Sequence, residues 1–154
     1  MTKPEHEYEM YIASTPKRIF DAIVKPEFAR QYWYHENISD WKPGSSWEHR
    51  DPQTGETKIC GKVVECDPPN RLVFTWTRPA EVSDPASYSR VTFELEPIDE
   101  MVKLTVTHDQ LVPGSSMEKG ITQGWPRVLS SLKTFLETGK PLPTWSKKTA
   151  QGAR

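Results

Sequence analysis

Three histidines stand where a folded chain could use them: His35, His49 and His108. Histidine changes charge near neutral pH, so an enclosed one serves as an acid/base or as the polar anchor of a bound molecule. It serves equally well as a core residue bonded to its neighbours. His49 and His108 occupy inward positions of alternating segments, so both could line one enclosed space. Metal chemistry lacks its spacings: there is no CxxC, no HExxH and no close His/Asp/Glu cluster. No metal ligand and no cofactor is assigned. Neither Ser45-Ser46 nor Ser115-Ser116 sits in a G-x-S-x-G elbow, and Gly114-Ser115-Ser116 lacks the Gly-Lys of a phosphate loop. No catalytic residue is named, and a non-enzyme is the expectation. Glu65 has two placements: inward beside Ile59 and Val63, pairing with Arg78 or a ligand, or in solvent, which is favoured.

The aromatic content is the more unusual feature. Six tryptophans, five tyrosines and five phenylalanines in 154 residues imply a well-filled aromatic core or an aromatic-lined cavity. Each indole N–H wants a partner, which favours half-wet cavity walls over a dry interior. The expected cavity residues are Trp33, Trp47, His49, Phe74, Trp76 and Phe93 from the first two thirds of the chain. Leu104, Val106, His108, Ile121, Trp125, Val128 and Leu129 follow from the last third. A net charge of −1 argues against the other use of such residues, a platform for single-stranded nucleic acid. Mean hydropathy is −0.70, and no apolar run approaches the roughly 20 residues of a membrane span. Cys60 and Cys66 on one strand would lie roughly 20 Å apart, too far to bond. Two free thiols behind a polar, acidic N-terminus suggest a reducing, cytoplasmic setting.

These side chains need a scaffold, and the pattern supplies one. Met117, Ile121, Trp125, Val128, Leu132 and Phe135 recur at steps of three and four, one face of a helix over 117–138. Gly139 ends it, and Pro126 predicts a kink. Earlier segments alternate. Tyr8, Met10 and Ile12 mark one strand, and Leu72, Phe74 and Trp76 another. Val91, Phe93 and Leu95, then Val102, Leu104, Val106 and His108, mark two more, joined by a tight turn and therefore antiparallel. Trp47 and His49 belong to a further strand, followed by the hairpin loop 51–55 and a strand over 57–66. Thr15-Pro16 and Pro26 open two short helices. The order is strand, two short helices, several strands, long helix: an α+β arrangement in one domain over 1–143. Residues 144–154 read as a disordered tail, apart from a docking of Trp145.

Tyr11-Ile12-Ala13-Ser14-Thr15-Pro16 with Ile19-Phe20-Asp21-Ala22-Ile23 resembles the opening of the START-like (SRPBCC) superfamily. Asp67-Pro68-Pro69-Asn70-Arg71-Leu72-Val73-Phe74-Thr75-Trp76 resembles its central turn and strand. Gly124-Trp125-Pro126 with Val128-Leu129 and Leu132-Lys133 resembles the last helix of one branch, the activator of heat-shock-protein-90 ATPase homologue-like family. Where that family often pairs glycines after the first helices, this chain has Gly44 followed by Ser45-Ser46. The resemblance implies the helix-grip fold, a curved antiparallel sheet around a long C-terminal helix with a cavity between. With the inward aromatic residues, the reading is a pocket for a small hydrophobic ligand, aromatic or lipid-like. Two rival readings stand beside it: a co-chaperone-like module with a protein partner, and an enzyme of the cyclase or hydrolase sort. The sequence carries no signal for oligomeric state.

Overall fold

The computed structural model describes residues 4–143. Its strands are β1 (His6–Ile12), β2 (Glu36–Ser39), β3 (Ser46–Arg50), β4 (Thr57–Asp67), β5 (Arg71–Trp76), β6 (Ser89–Ile98) and β7 (Met101–Asp109). Its helices are α1 (Pro16–Val24), α2 (Pro26–Tyr32) and α3 (Ser116–Thr138). The strands form one 7-stranded sheet in the order β1-β7-β6-β5-β4-β3-β2, with every neighbouring pair antiparallel. β1 and β2 are successive strands at opposite edges, so α1 and α2 must carry the chain across the sheet. α3 follows β7 and buries Ile121, Trp125, Val128, Leu129, Leu132 and Leu136. This is the helix-grip arrangement. The expected tail, with Trp145, lies outside the described residues.

Local chemistry sets the helix ends. Thr15 Oγ1 accepts the Arg18 N–H at 3.2 Å, and Pro16 takes the first turn of α1, where no donor is needed. Lys25 is extended (φ −94°, ψ 122°), as a residue before proline prefers, and this separates α1 from α2. Ser115 Oγ accepts the Glu118 N–H at 3.2 Å, while Glu118 Oε1 reaches back to the Gly114 N–H at 2.8 Å. Gly139 closes α3 at φ 83°. The helix is continuous through Pro126, which is exposed, as is Thr122, whose carbonyl the proline cannot bond.

The inward rows follow the alternation. Met10 faces Leu104 and Tyr8 faces Val106 across β1 and β7; Phe93 faces Val106 and Leu72 across its other two borders. Two departures matter. The short strand β2 escapes the sequence pattern: only Asn37 is fully buried in it, so four residues carry no alternation worth the name. β4 breaks step twice. Val63 pairs with Phe74 but Glu65 with Val73, so Val64 is an extra residue and is 50% exposed. The bulge inverts the faces beyond it: Cys66 packs on the core and Glu65 turns to solvent beside Arg71, 3.2 Å away, not beside Arg78. The second bulge lies at the other end: His49 pairs with Ile59 but Arg50 with Thr57, which makes Lys58 the extra residue.

α3 also grips the edge of the sheet. Lys133 Nζ donates to the Tyr11 carbonyl at 2.7 Å, and Glu137 Oε2 accepts the Ala13 N–H at 2.8 Å. At its other end Glu118 meets His6 at 2.8 Å, so β1 is held to α3 at both ends. His6 is therefore part of the folded unit, outside the three histidines singled out from the sequence. Among the described residues no helix is long and apolar enough to cross a membrane.

Candidate functional site

A cavity of about 250 Å³ lies between the first half of α3, the β3–β5 part of the sheet and the end of α2. Trp33, Trp76 and Trp125 form its aromatic walls, with Ile121 and Val128 from α3 and Ile59 from β4. Ring centroids of Trp125 lie 5.7 Å from those of both Trp33 and Trp76. His49 and His35 supply its polar side. Gly120 and Gly124, one turn apart on α3, and Lys58 of β4 line its mouth. Gly120 and Lys58 are exposed, and Gly124 is half-buried. A Cβ at either glycine would meet nothing within 4 Å, so these positions leave open space where most helical residues would fill it. The β4 bulge explains why both Lys58 and Ile59 reach the same space, since strict alternation would send neighbours to opposite faces.

His49 is held by a short relay. Its Nδ1–H donates to Asn37 Oδ1 at 2.8 Å, and the Asn37 amide nitrogen donates to the Ile23 carbonyl at 2.8 Å. The ring sits 4.8 Å from that of Trp33 and stacks on His35, also at 4.8 Å, with planes 13° apart. His35 in turn donates Nδ1–H to the Trp33 carbonyl at 3.2 Å.

His108, expected on the cavity wall, lies behind it. The Trp125 indole N–H donates to His108 Nδ1 at 3.0 Å. His108 Nε2–H then donates to Ser89 Oγ at 2.8 Å, and the serine hydroxyl donates to the Trp76 carbonyl at 3.3 Å. Both ring nitrogens are committed, so this histidine ties α3 to the sheet and has nothing left for a ligand. The expected wall residues Trp47, Phe74, Phe93, Leu104, Val106 and Leu129 are likewise buried in the core and do not line the cavity. Trp47 uses its indole N–H on the Thr75 carbonyl at 2.6 Å and packs 4.4 Å from Phe74. Trp33, His49, Trp76, Ile121, Trp125 and Val128 do meet around the opening. His35, Lys58, Ile59, Gly120 and Gly124 join them without having been named for the site, and Asn37 stands behind His49 as its partner. The paired glycines in a helical stretch were the available signal. Among the described residues no group of three or more His, Cys, Asp and Glu could hold a metal ion.

Burial pushes His49 well below the ordinary histidine value, and the neighbouring His35 adds to the effect. His108 is pushed down to about 3, chiefly by burial, with His6 adding and Asp109 opposing. Both are depressed in the folded state, while the unfolded chain takes up protons on them near 6.5. The unfolded state thus binds more protons below that value, and stability falls as the medium is acidified. Each ring's contribution is complete above about pH 6.5 and drains at up to roughly 1.4 kcal/mol per pH unit below it. The urea midpoint should therefore drop clearly between about pH 7 and 5, a range where ordinary carboxylates hardly titrate. Equal midpoints at the two values would contradict the neutral, buried state of these rings.

Similarity to known proteins fits this architecture. The family profile described as activator of Hsp90 ATPase homolog 1-like protein matches residues 13–137. Among curated proteins none matches the chain by sequence. The solution structure of the Aha1 dimer from Colwellia psychrerythraea is similar at 20% identity with a TM-score of 0.74, over 89% of this chain and 98% of that one. CalU16 from Micromonospora echinospora is similar at 18% identity and a TM-score of 0.72, over 97% and 81%. Protein MLL2253 from Mesorhizobium loti is similar at 23% and 0.72, over 86% and 96%. At these identities the structures speak for the fold. The profile spans most of the chain, and the chain belongs to the activator of Hsp90 ATPase homolog 1-like family.

Proposed function

We propose that this protein binds a small, apolar, ring-containing molecule in the cavity beneath α3. The observation that carries the reading is a space of about 250 Å³ walled by Trp33, Trp76 and Trp125 and reached past two glycines. Apolar walls take ring surface out of water at roughly 25 cal/mol per Å², and the stacked histidines give the occupant an orientation. A dry cavity of about 150 Å³ accepts benzene, so this one is sized for about two fused rings.

The test uses an uncharged two-ring probe, 2-methoxynaphthalene. It should raise the melting temperature, since a molecule bound only by the folded state stabilises it by about 2.7 kcal/mol at a hundredfold excess over Kd. It should also shift the indole N–H resonances of Trp33, Trp76 and Trp125. Gly124→Phe should abolish both effects in a folded protein, because the added side chain starts from open space and fills the mouth. Absence of both effects in the unaltered protein, or their survival in Gly124→Phe, would count against this site.

A further inference from the structure

We propose that the cavity selects an uncharged aromatic molecule carrying a hydrogen-bond donor, a hydroxyl or ring N–H, and that the donor is received by His49 Nε2. The inference rests on the reading of the cavity as a binding site. It follows from where the protons of the polar wall must be. His49 is 6% exposed, and its Nδ1 carries the proton because Asn37 presents Oδ1 to it at 2.8 Å. Asn37 cannot present its nitrogen instead, since that nitrogen is spent on the Ile23 carbonyl. Nε2 is therefore the lone-pair side of the ring. Among the described residues nothing bonds this atom, yet no fully buried side-chain nitrogen or oxygen is left without a partner. Nε2 must then touch open space, and the open space this ring lines is the cavity.

The neighbours extend the pattern. His35 spends its Nδ1–H on the Trp33 carbonyl, so the ring stacked on His49 also keeps a lone pair at Nε2. Among the described residues the indole N–H of Trp33, a lining residue 7% exposed, has no hydrogen-bond partner. A hydroxyl satisfies both kinds of group, giving its proton to an imidazole and accepting from an indole. An ether satisfies the second alone. A carboxylate sets its own lone pairs against the imidazole and gives up hydration where, among the described residues, no fixed positive charge stands on the inner wall. The cation of the lining, Lys58, stands at the mouth, 2.9 Å from Glu56. Burial keeps His49 uncharged at neutral pH, so it offers an acceptor and no counter-ion.

The experiment compares three probes of one shape on the unaltered chain at neutral pH: 2-naphthol, 2-methoxynaphthalene and 2-naphthoate, titrated by calorimetry. The naphthol should bind at least about tenfold tighter than the ether, the worth of one buried hydrogen bond made rather than left open. The naphthoate should bind more weakly than either. Equal binding of naphthol and ether, or tightest binding of naphthoate, overturns this inference and leaves the binding site standing. Failure of all three overturns the site and the inference together. His49→Phe keeps a ring and removes the acceptor; once shown to be folded by near-ultraviolet circular dichroism, it should bind naphthol and ether alike. A naphthol advantage that survives the substitution assigns the acceptor elsewhere and overturns the role of His49.

Discussion

Trp125→Ala should cost about 3–5 kcal/mol of folding stability, the range for deleting a large buried ring. Trp125 is 3% exposed and stands where α3 meets the sheet. It packs on Trp33 and Trp76, each 5.7 Å away, and meets Phe93 edge-on at 5.8 Å. Truncation would also remove the donor on which His108 Nδ1 depends, and an unsatisfied buried acceptor adds about 1–3 kcal/mol. Trp125→Phe separates the two effects, since it keeps much of the ring and drops only the N–H. Urea unfolding of the three proteins provides the comparison. A loss below about 1 kcal/mol for the alanine variant would show that the helix is held mainly by other contacts.

Gly61→Val is the second large effect, at about 3 kcal/mol or more. A Cβ at Gly61 would overlap the Thr75 carbonyl oxygen and stand 2.6 Å from Thr75 Oγ1. β5 cannot simply withdraw. The Thr75 carbonyl accepts the Trp47 indole N–H at 2.6 Å, and Thr75 Oγ1 accepts the Lys62 N–H at 2.8 Å. Any shift that relieves the overlap loosens both bonds and the packing of Trp47 beneath Trp76. Gly120→Ala is the matched control: a Cβ there meets nothing, so the usual gain for replacing a helical glycine, about 1 kcal/mol, should appear. Equal stability of Gly61→Val and the unaltered protein would mean that β4 and β5 part more easily than this geometry allows.

The elements were legible in the sequence where one periodicity ran unbroken. The step of three and four in α3, and the alternation through Val91–Leu95 and Val102–His108, each buries one continuous face. Legibility failed where the period was interrupted. The extra residues Val64 and Lys58 shift β4 by one position each, and no side-chain pattern announces a bulge. The inward direction of His49 and His108 could be read from alternation, but their roles could not. Alternation says which face a ring occupies and nothing about whether its nitrogens are already bonded. The partners that decide this, Asn37 and Ser89 together with Trp125, come from three other elements. The wall and the core were merged for the same reason: Trp47 and Trp76 both point inward, and only tertiary packing places one beneath the other at 5.7 Å.

The grip of α3 on β1 bears on how copies of this protein behave when crowded. An antiparallel sheet with two open borders is a template for self-association, since unpaired main-chain groups accept a strand from another molecule. Here Lys133 and Glu137 already occupy the Tyr11 carbonyl and the Ala13 amide at the end of one border strand. Exposed Glu7 and Glu9 place like charges along the rest of it, and the opposite border offers only the 4 residues of β2. Neutralising the helix side chains with Lys133→Met and Glu137→Leu would uncover the first border, turning a contact that stabilises the single molecule into the place where fibrous aggregation begins.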